Sequence, residues 1–209
     1  MQRAILQLSD PDSKKILRGI ATPVAPEEFG TQVFKDLIED MKTTMRQAPG
    51  VGLAAPQIGI SKQIVVIEDN ADRQSAFQPE ILQERRRYGV PFHVLVNPVL
   101  RLTGIQRVNF FEGCLSVKGS LRVTPRAERV IVEYQNEHGA TRAIAAHGWY
   151  ARILQHEIDH LNGCIYVDVG DARTEIPINP ENLAKWTNAT HSAISHFHQQ
   201  CILQHEAKK

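Results

Sequence analysis

GWYARILQHEIDHLNG, residues 148–163, is the stretch that decides the fold. Trp149, Ile153, His156 and His160 recur at intervals of three and four, on or near one face of a helix, and Gly163 supplies its C-terminal stop. Inside this helix the segment His156-Glu157-Ile158-Asp159-His160 carries two imidazoles four residues apart. That spacing projects both from one face toward a single ion. Glu157 sits where it can reach a water on that ion, take its proton and pass it to a leaving nitrogen. The pattern is short, and alone it fits equally a solvated helix on which HExxH arose by accident.

A catalytic metal takes three protein ligands and leaves one position open, so the chain must supply a third. The metzincin pattern places a histidine six residues after the second one; Gly163 fits that pattern, but the ligand position holds Tyr166. A zincin-like metallopeptidase would need an acid further on, and Glu181 is the nearest, beyond Pro177 and Pro180. Cys114 is the better ligand. It lies in Glu112-Gly113-Cys114-Leu115-Ser116, after a strand-like run, and Gly113 lets backbone come close to the site. A free cysteine is commonly just a small buried hydrophobe. A non-catalytic structural zinc site using Cys114 and both histidines is the other alternative.

Outward from these segments, Thr31 to Gln47 carries Phe34, Leu37, Ile38, Met41 and Met45 on one helical stripe, stopped by Ala48-Pro49-Gly50. GVGLAAPQIG, residues 50–59, is glycine-rich and suits close approach to a ligand. Residues 64–68, 94–96, 107–111 and 130–134 are short β-branched or aromatic runs that predict strands, and 164–168 predicts another. The polar interval 69–89 predicts a long, mobile surface insertion. Residues 182–204 predict one C-terminal helix docked by Leu183, Trp186, Ile194, Phe197 and Cys201. The expected class is α+β: mostly antiparallel strands around a central helix bearing HEIDH, with an N-terminal amphipathic helix and a C-terminal one. Residues 1–170 form the expected catalytic domain, and 171–209 an extension within the same globular unit.

A chain of 209 residues with 42% hydrophobic content is long enough for a single core. Its 24 basic and 23 acidic residues create no global field for nucleic acid or an anionic membrane. The triplet Arg85-Arg86-Arg87 predicts a solvated loop. No apolar window is long enough to span a bilayer, and the opening MQRAILQLSDPDSKK lacks a signal-peptide core, so a cytoplasmic location is expected. Three cysteines, Cys114, Cys164 and Cys201, do not make a disulfide framework.

GVGLAAPQIG at 50–59, EGCLS at 112–116 and QHEIDHLNG at 155–163 resemble, in order, the three signature motifs of peptide deformylases. The similarity extends through VNP at 96–98 and GWYARILQHEIDHLNG at 148–163, and covers roughly residues 15 to 170. The resemblance implies a hydrolase that removes the formyl group from N-terminal formylmethionine of nascent polypeptides, leaving formate and a free methionine. It implies Cys114, His156 and His160 as metal ligands and Glu157 as proton carrier. It further implies that Gln57 and the Leu115 N–H polarise the formyl oxygen, and that Gly52 lies beside the substrate backbone. Gly50 and Gly113 flank the same path. Val51, Trp149 and Ile153 are candidates for the walls of a methionine slot or, equally, for ordinary core.

In the family the ion is natively Fe²⁺, with Zn²⁺, Ni²⁺ or Co²⁺ able to take its place, and a mixed thiolate–imidazole set suits all four. Glu112 is expected to pair with Arg126 and brace the ligand loop. Partners are formylmethionyl N-termini, met at the ribosome, with the enzyme a monomer or dimer. Two departures stand out: Lys118-Gly119 where many members carry proline, and Asp168-Val169-Gly170 where Asp-Arg-Met or Asp-Lys-Met is frequent. The GWYARILQHE context is closest to organellar-like members, without a transit peptide before residue 15.

Overall fold

Ile64-Val65-Val66-Ile67 is buried on both sides, and the alternation of its side chains divides the molecule into two cores. The computed structural model describes residues 1–48 and 50–207; Pro49, part of the expected helix stop, lies outside the described residues. In chain order, the first elements are α1 (Pro11–Leu17), α2 (Gln32–Gln47), β1 (Gly52–Ala54) and β2 (Ile64–Asp69). Next come α3 (Ala71–Gln74), α4 (Pro79–Glu84), β3 (Val90–Leu102), β4 (Arg107–Cys114), β5 (Val117–Ala127), β6 (Arg129–Gln135) and β7 (Thr141–His147). The chain ends through α5 (Gly148–Leu161), α6 (Tyr166–Val169), β8 (Ile176–Pro177), α7 (Pro180–Thr187) and α8 (His191–Glu206).

The strands form an antiparallel five-stranded sheet, β1-β2-β3-β6-β7, and an antiparallel three-stranded sheet, β4-β5-β8. On one face of the larger sheet Val65, Ile67, Leu95, Val130 and Val132 pack against Leu154, Ile158 and Leu161 of α5. On the other face Ile64, Val66, Val94 and Val96 meet Phe34, Met41 and Met45 of α2. The stripe expected on α2 is therefore its docking face, and the Thr31 hydroxyl caps it by accepting from the Phe34 N–H. The α+β arrangement around the histidine-bearing helix is the one expected.

The polar insertion expected at 69–89 carries two short helices, α3 and α4, and three local expectations are corrected. Within this insertion Arg85 and Arg87 are buried: Arg87 makes a two-pronged ion pair with Asp69 at 2.8 and 2.9 Å, and Arg85 stacks on Phe77, Phe110 and Trp149. Residues 166–169 are a helical turn and not a strand, because the Asp168 carboxylate accepts the Ile165 N–H at 2.8 Å and closes the turn. The C-terminal helix is two helices. Asn188 interrupts it by accepting the Gln78 N–H and donating to the Ala76 carbonyl, and Thr190 then caps α8.

Candidate active site

The helix α5 starts at Gly148, whose φ of +61° no side chain would tolerate cheaply; a Cβ there would also fall 2.5 Å from the Cβ of Arg86. From this start the helix runs beneath the larger sheet and delivers His156, Glu157 and His160 to the junction of the two sheets. The β4 strand ends there at Cys114. The thiol, His156 and His160 bring one ligand atom each within 4.8 Å of one another, and Cys114 Sγ lies 3.2 Å from His160 Nε2. The Ser116 N–H donates to the same sulfur at 3.4 Å and fixes its position at the end of β4.

Behind the ligands stands one buried carboxylate. Glu112 accepts from His156 Nδ1 at 3.0 Å, from Arg126 twice at 3.0 Å, and from Arg152 Nη1 at 2.6 Å. Desolvation opposes its charge, but Arg126, the His156 contact and Arg152 prevail and hold it well below the usual carboxylate range. The bond to Nδ1 leaves His156 Nε2 to face the ion site, the arrangement that orients and strengthens an imidazole ligand. Burial opposes protonation of His156 too, yet its contacts with Cys114 and Glu112 raise its pKa well above the ordinary value. Glu157 is different: burial with few compensating partners pushes its carboxyl up to about 7, and its Oε2 has no hydrogen-bond partner among the described residues.

The loop from β1 covers the other side. The Gln57 side chain accepts the Ala54 N–H at 2.8 Å, which turns its amide N–H groups toward Ser116 Oγ at 3.2 Å and Cys114 Sγ at 3.6 Å. An N-terminal arm, residues 6–8, ties both loops together. Leu6 N–H donates to the Gln57 carbonyl, Leu8 N–H to the Ser116 carbonyl, and the Gln7 amide to the Leu115 carbonyl, at 2.8, 2.8 and 2.9 Å. An apolar-lined cleft of about 500 Å³ opens at this point. Gly50, Val51, Gly52, Gln57, Gly113, Cys114, Leu115, Trp149, Ile153, His156 and Glu157 all line it, and fully buried His160 lies behind.

The donor set fits a divalent first-row ion: one thiol and two imidazoles converge beside the cleft, which leaves a fourth position for water or substrate. Glu181 is exposed in the first turn of α7 and outside this group. Sequence reasoning missed several supporting residues. Arg152, which the sequence reading assigned no role, is buried on α5 and donates to Glu112. Gln7, Arg73, Phe77 and Ile178 had none, because contacts from remote segments bring them to the site, while Ser116 stood in EGCLS without a role of its own and Leu183 was expected only as a docking residue.

A family model described as polypeptide deformylase matches residues 2–175. The chain belongs to the peptide deformylase family. It is 45% identical over 160 residues to peptide deformylase 1A, chloroplastic/mitochondrial, of Arabidopsis thaliana, covering 76% of this chain and 59% of that protein. It is 40% identical over 186 residues to peptide deformylase 3 of Streptomyces avermitilis, covering 89% of this chain and 79% of that one. The chain thus spans less than two thirds of the length of plant relatives such as the Arabidopsis protein. Its fold is similar to that of a Met-Ala-Ser-bound class I type b peptide deformylase from Acinetobacter baumannii, with a TM-score of 0.70 and 30% identity over 81% of this chain and 98% of that one. Peptide deformylases use a single metal ion, and the Cys114–His156–His160 group matches that need. Among the described residues no helix is long and apolar enough to cross a membrane.

Proposed function

We propose that this chain hydrolyses the formamide at the N-terminus of formylmethionyl peptides, releasing formate and a free methionine. The observation that carries the reading is the meeting of Cys114, His156 and His160 with an unpaired Glu157 carboxylate and the Gln57 amide at one cleft. An ion held by the three ligands supplies Lewis acidity and lowers the pKa of a water in the cleft. Everything else falls to the chain's own groups. Glu157 takes the proton from the attacking water at its free Oε2 and returns it to the methionine nitrogen as the C–N bond breaks. The Gln57 Nε2–H and the Leu115 N–H donate to the formyl oxygen as it gains charge.

The Gly50-Val51-Gly52 backbone runs beside the substrate, Gly113 flanks it, and Val51, Trp149 and Ile153 wall the methionine slot. Fe²⁺ is the native ion in this reading, with Zn²⁺, Ni²⁺ or Co²⁺ as substitutes. The substrates are nascent chains met at the ribosome in the cytoplasm, and the enzyme works as a monomer or dimer. Residues 1–170 carry the chemistry, with 171–209 an extension of the same unit. The relative solved with Met-Ala-Ser holds a peptide of the kind this reaction leaves. A metallopeptidase reading loses its support with Glu181 outside the ligand group.

The test is formate release by anaerobically prepared protein from a formyl-Met peptide, beside its acetylated and unmodified counterparts. Formate from the first alone is expected. No formate with iron, zinc, nickel or cobalt contradicts the proposal.

A further inference from the structure

The cleft has a second apolar wall that the methionine slot does not use. Ile178 and Leu183 lie beyond residues 2–175 and line the cleft while remaining 40% and 44% exposed. They face it from a braced segment. β8 pairs with Ser120 and Leu121 of β5, and the Ile178 N–H donates to the Gly119 carbonyl at 2.9 Å. Trp186 anchors α7 against Phe111 and Phe197, with ring centroids 4.8 Å apart in both pairs. Ile178 reaches over Gly113, where a Cβ would fall 3.9 Å from its Cδ1, so it stands beside the ligand loop.

The insertion completes this wall. Phe77 lines the cleft, and its ring is clamped by Arg87 at 4.4 Å and Arg85 at 5.3 Å. Insertion and C-terminal segment hold each other: Asn188 bonds Gln78 and Ala76, Arg85 donates to the Trp186 and Ala189 carbonyls, and the His191 N–H donates to Glu84. Two segments far apart in sequence are thus built into one rim, continuous with the catalytic cleft.

Resting on the deformylase reading, we infer that Phe77, Ile178 and Leu183 form a subsite for the side chains that follow formylmethionine, and that it selects apolar ones. The substrate chain leaves the ion site past Gly113 and passes under Ile178. An apolar side chain there covers exposed Ile178 and Leu183 and half-buried Phe77 from water, whereas a polar one loses hydration against three groups that offer it no hydrogen bond. Preorganisation of the rim means that little ordering opposes this gain.

The test compares formyl-Met-Leu-Leu-amide with the similarly sized formyl-Met-Asn-Asn-amide, for wild type, Ile178→Ser, Leu183→Ser and the conservative Ile178→Val and Leu183→Met. Wild type is expected to favour the leucyl peptide by about tenfold in kcat/KM, carried by KM. Each serine variant should lower that ratio by about fivefold, and the conservative variants should retain it. A wild type without preference, or serine variants that depress both peptides equally, overturns the subsite and leaves the deformylase reading standing. No formate from either peptide overturns both.

Discussion

Gly52 backs directly onto Glu157: a Cβ at position 52 would fall 2.4 Å from Oε1 of the carboxylate and 2.6 Å from its Cδ. The glycine is required by this close approach, and its neighbour is the group proposed to move the proton. Gly52→Ala displaces Glu157 by a fraction of an ångström to an ångström and should lower kcat by about 100-fold. Metal content should remain at wild-type level, measured by atomic emission on the same samples. A variant with wild-type kcat contradicts the placement of Glu157.

Glu112 is the electrostatic hub of the site, and its removal leaves two guanidinium groups buried without their shared partner. Glu112→Ala should cost about 3–5 kcal/mol of stability in denaturant unfolding. Glu112→Gln keeps the shape and frees His156, and should weaken metal binding by about 10- to 100-fold in a chelator competition.

Glu157 offers a pH test in the metal-free protein. Its folded carboxyl sits at about 7, above its unfolded value, so the folded state holds the proton more tightly. The stability it supports is full at low pH and is lost as pH rises from about 4.5 through about 7. Glu157→Gln, neutral throughout, should therefore match wild type near pH 4.5 and exceed it by on the order of 3 kcal/mol at pH 8. Urea unfolding of the two metal-free proteins at both pH values reads the difference. Equal gaps at both contradict it.

Asp171 shows the opposite sign. Hydrogen bonds from Arg173, and then the contact with His198 Nε2 at 2.8 Å, hold its carboxyl well below the ordinary range and fasten α8 to the segment after α6. Its contribution is present above the unfolded value of about 4 and lost as pH falls toward the lowered one. Asp171→Asn should cost about 1–2 kcal/mol at neutral pH in thermal unfolding, with the gap closing only below about pH 4.

The parts of this structure legible in the sequence are those whose signal is local. The period of three and four marked α5 and α2, and the β-branched run 64–68 marked a strand, whose burial on both faces only the structure shows. The two histidines were legible through their spacing, but Cys114 only through EGCLS and the motifs around it. The illegible parts depend on partners far along the chain. Arg152 is buried because Glu112, Thr124 and Val108 await it, 40, 28 and 44 residues away. Arg85 and Arg87 have the composition of a solvated loop, and remote partners take them inside: the rings of Phe77, Phe110 and Trp149, the Asp69 carboxylate and the Trp186 and Ala189 carbonyls. The apolar period runs across Asn188 without pause, so one helix was expected where a side-chain contact to the insertion makes two.

Formate released per bound ion, in wild type and Glu157→Ala, tests whether Cys114, His156 and His160 hold the ion for which Glu157 carries the proton. One ion per chain is expected in both, with a rate lower by about 10²- to 10⁴-fold in the variant. Equal rates per bound ion in the two proteins would contradict it.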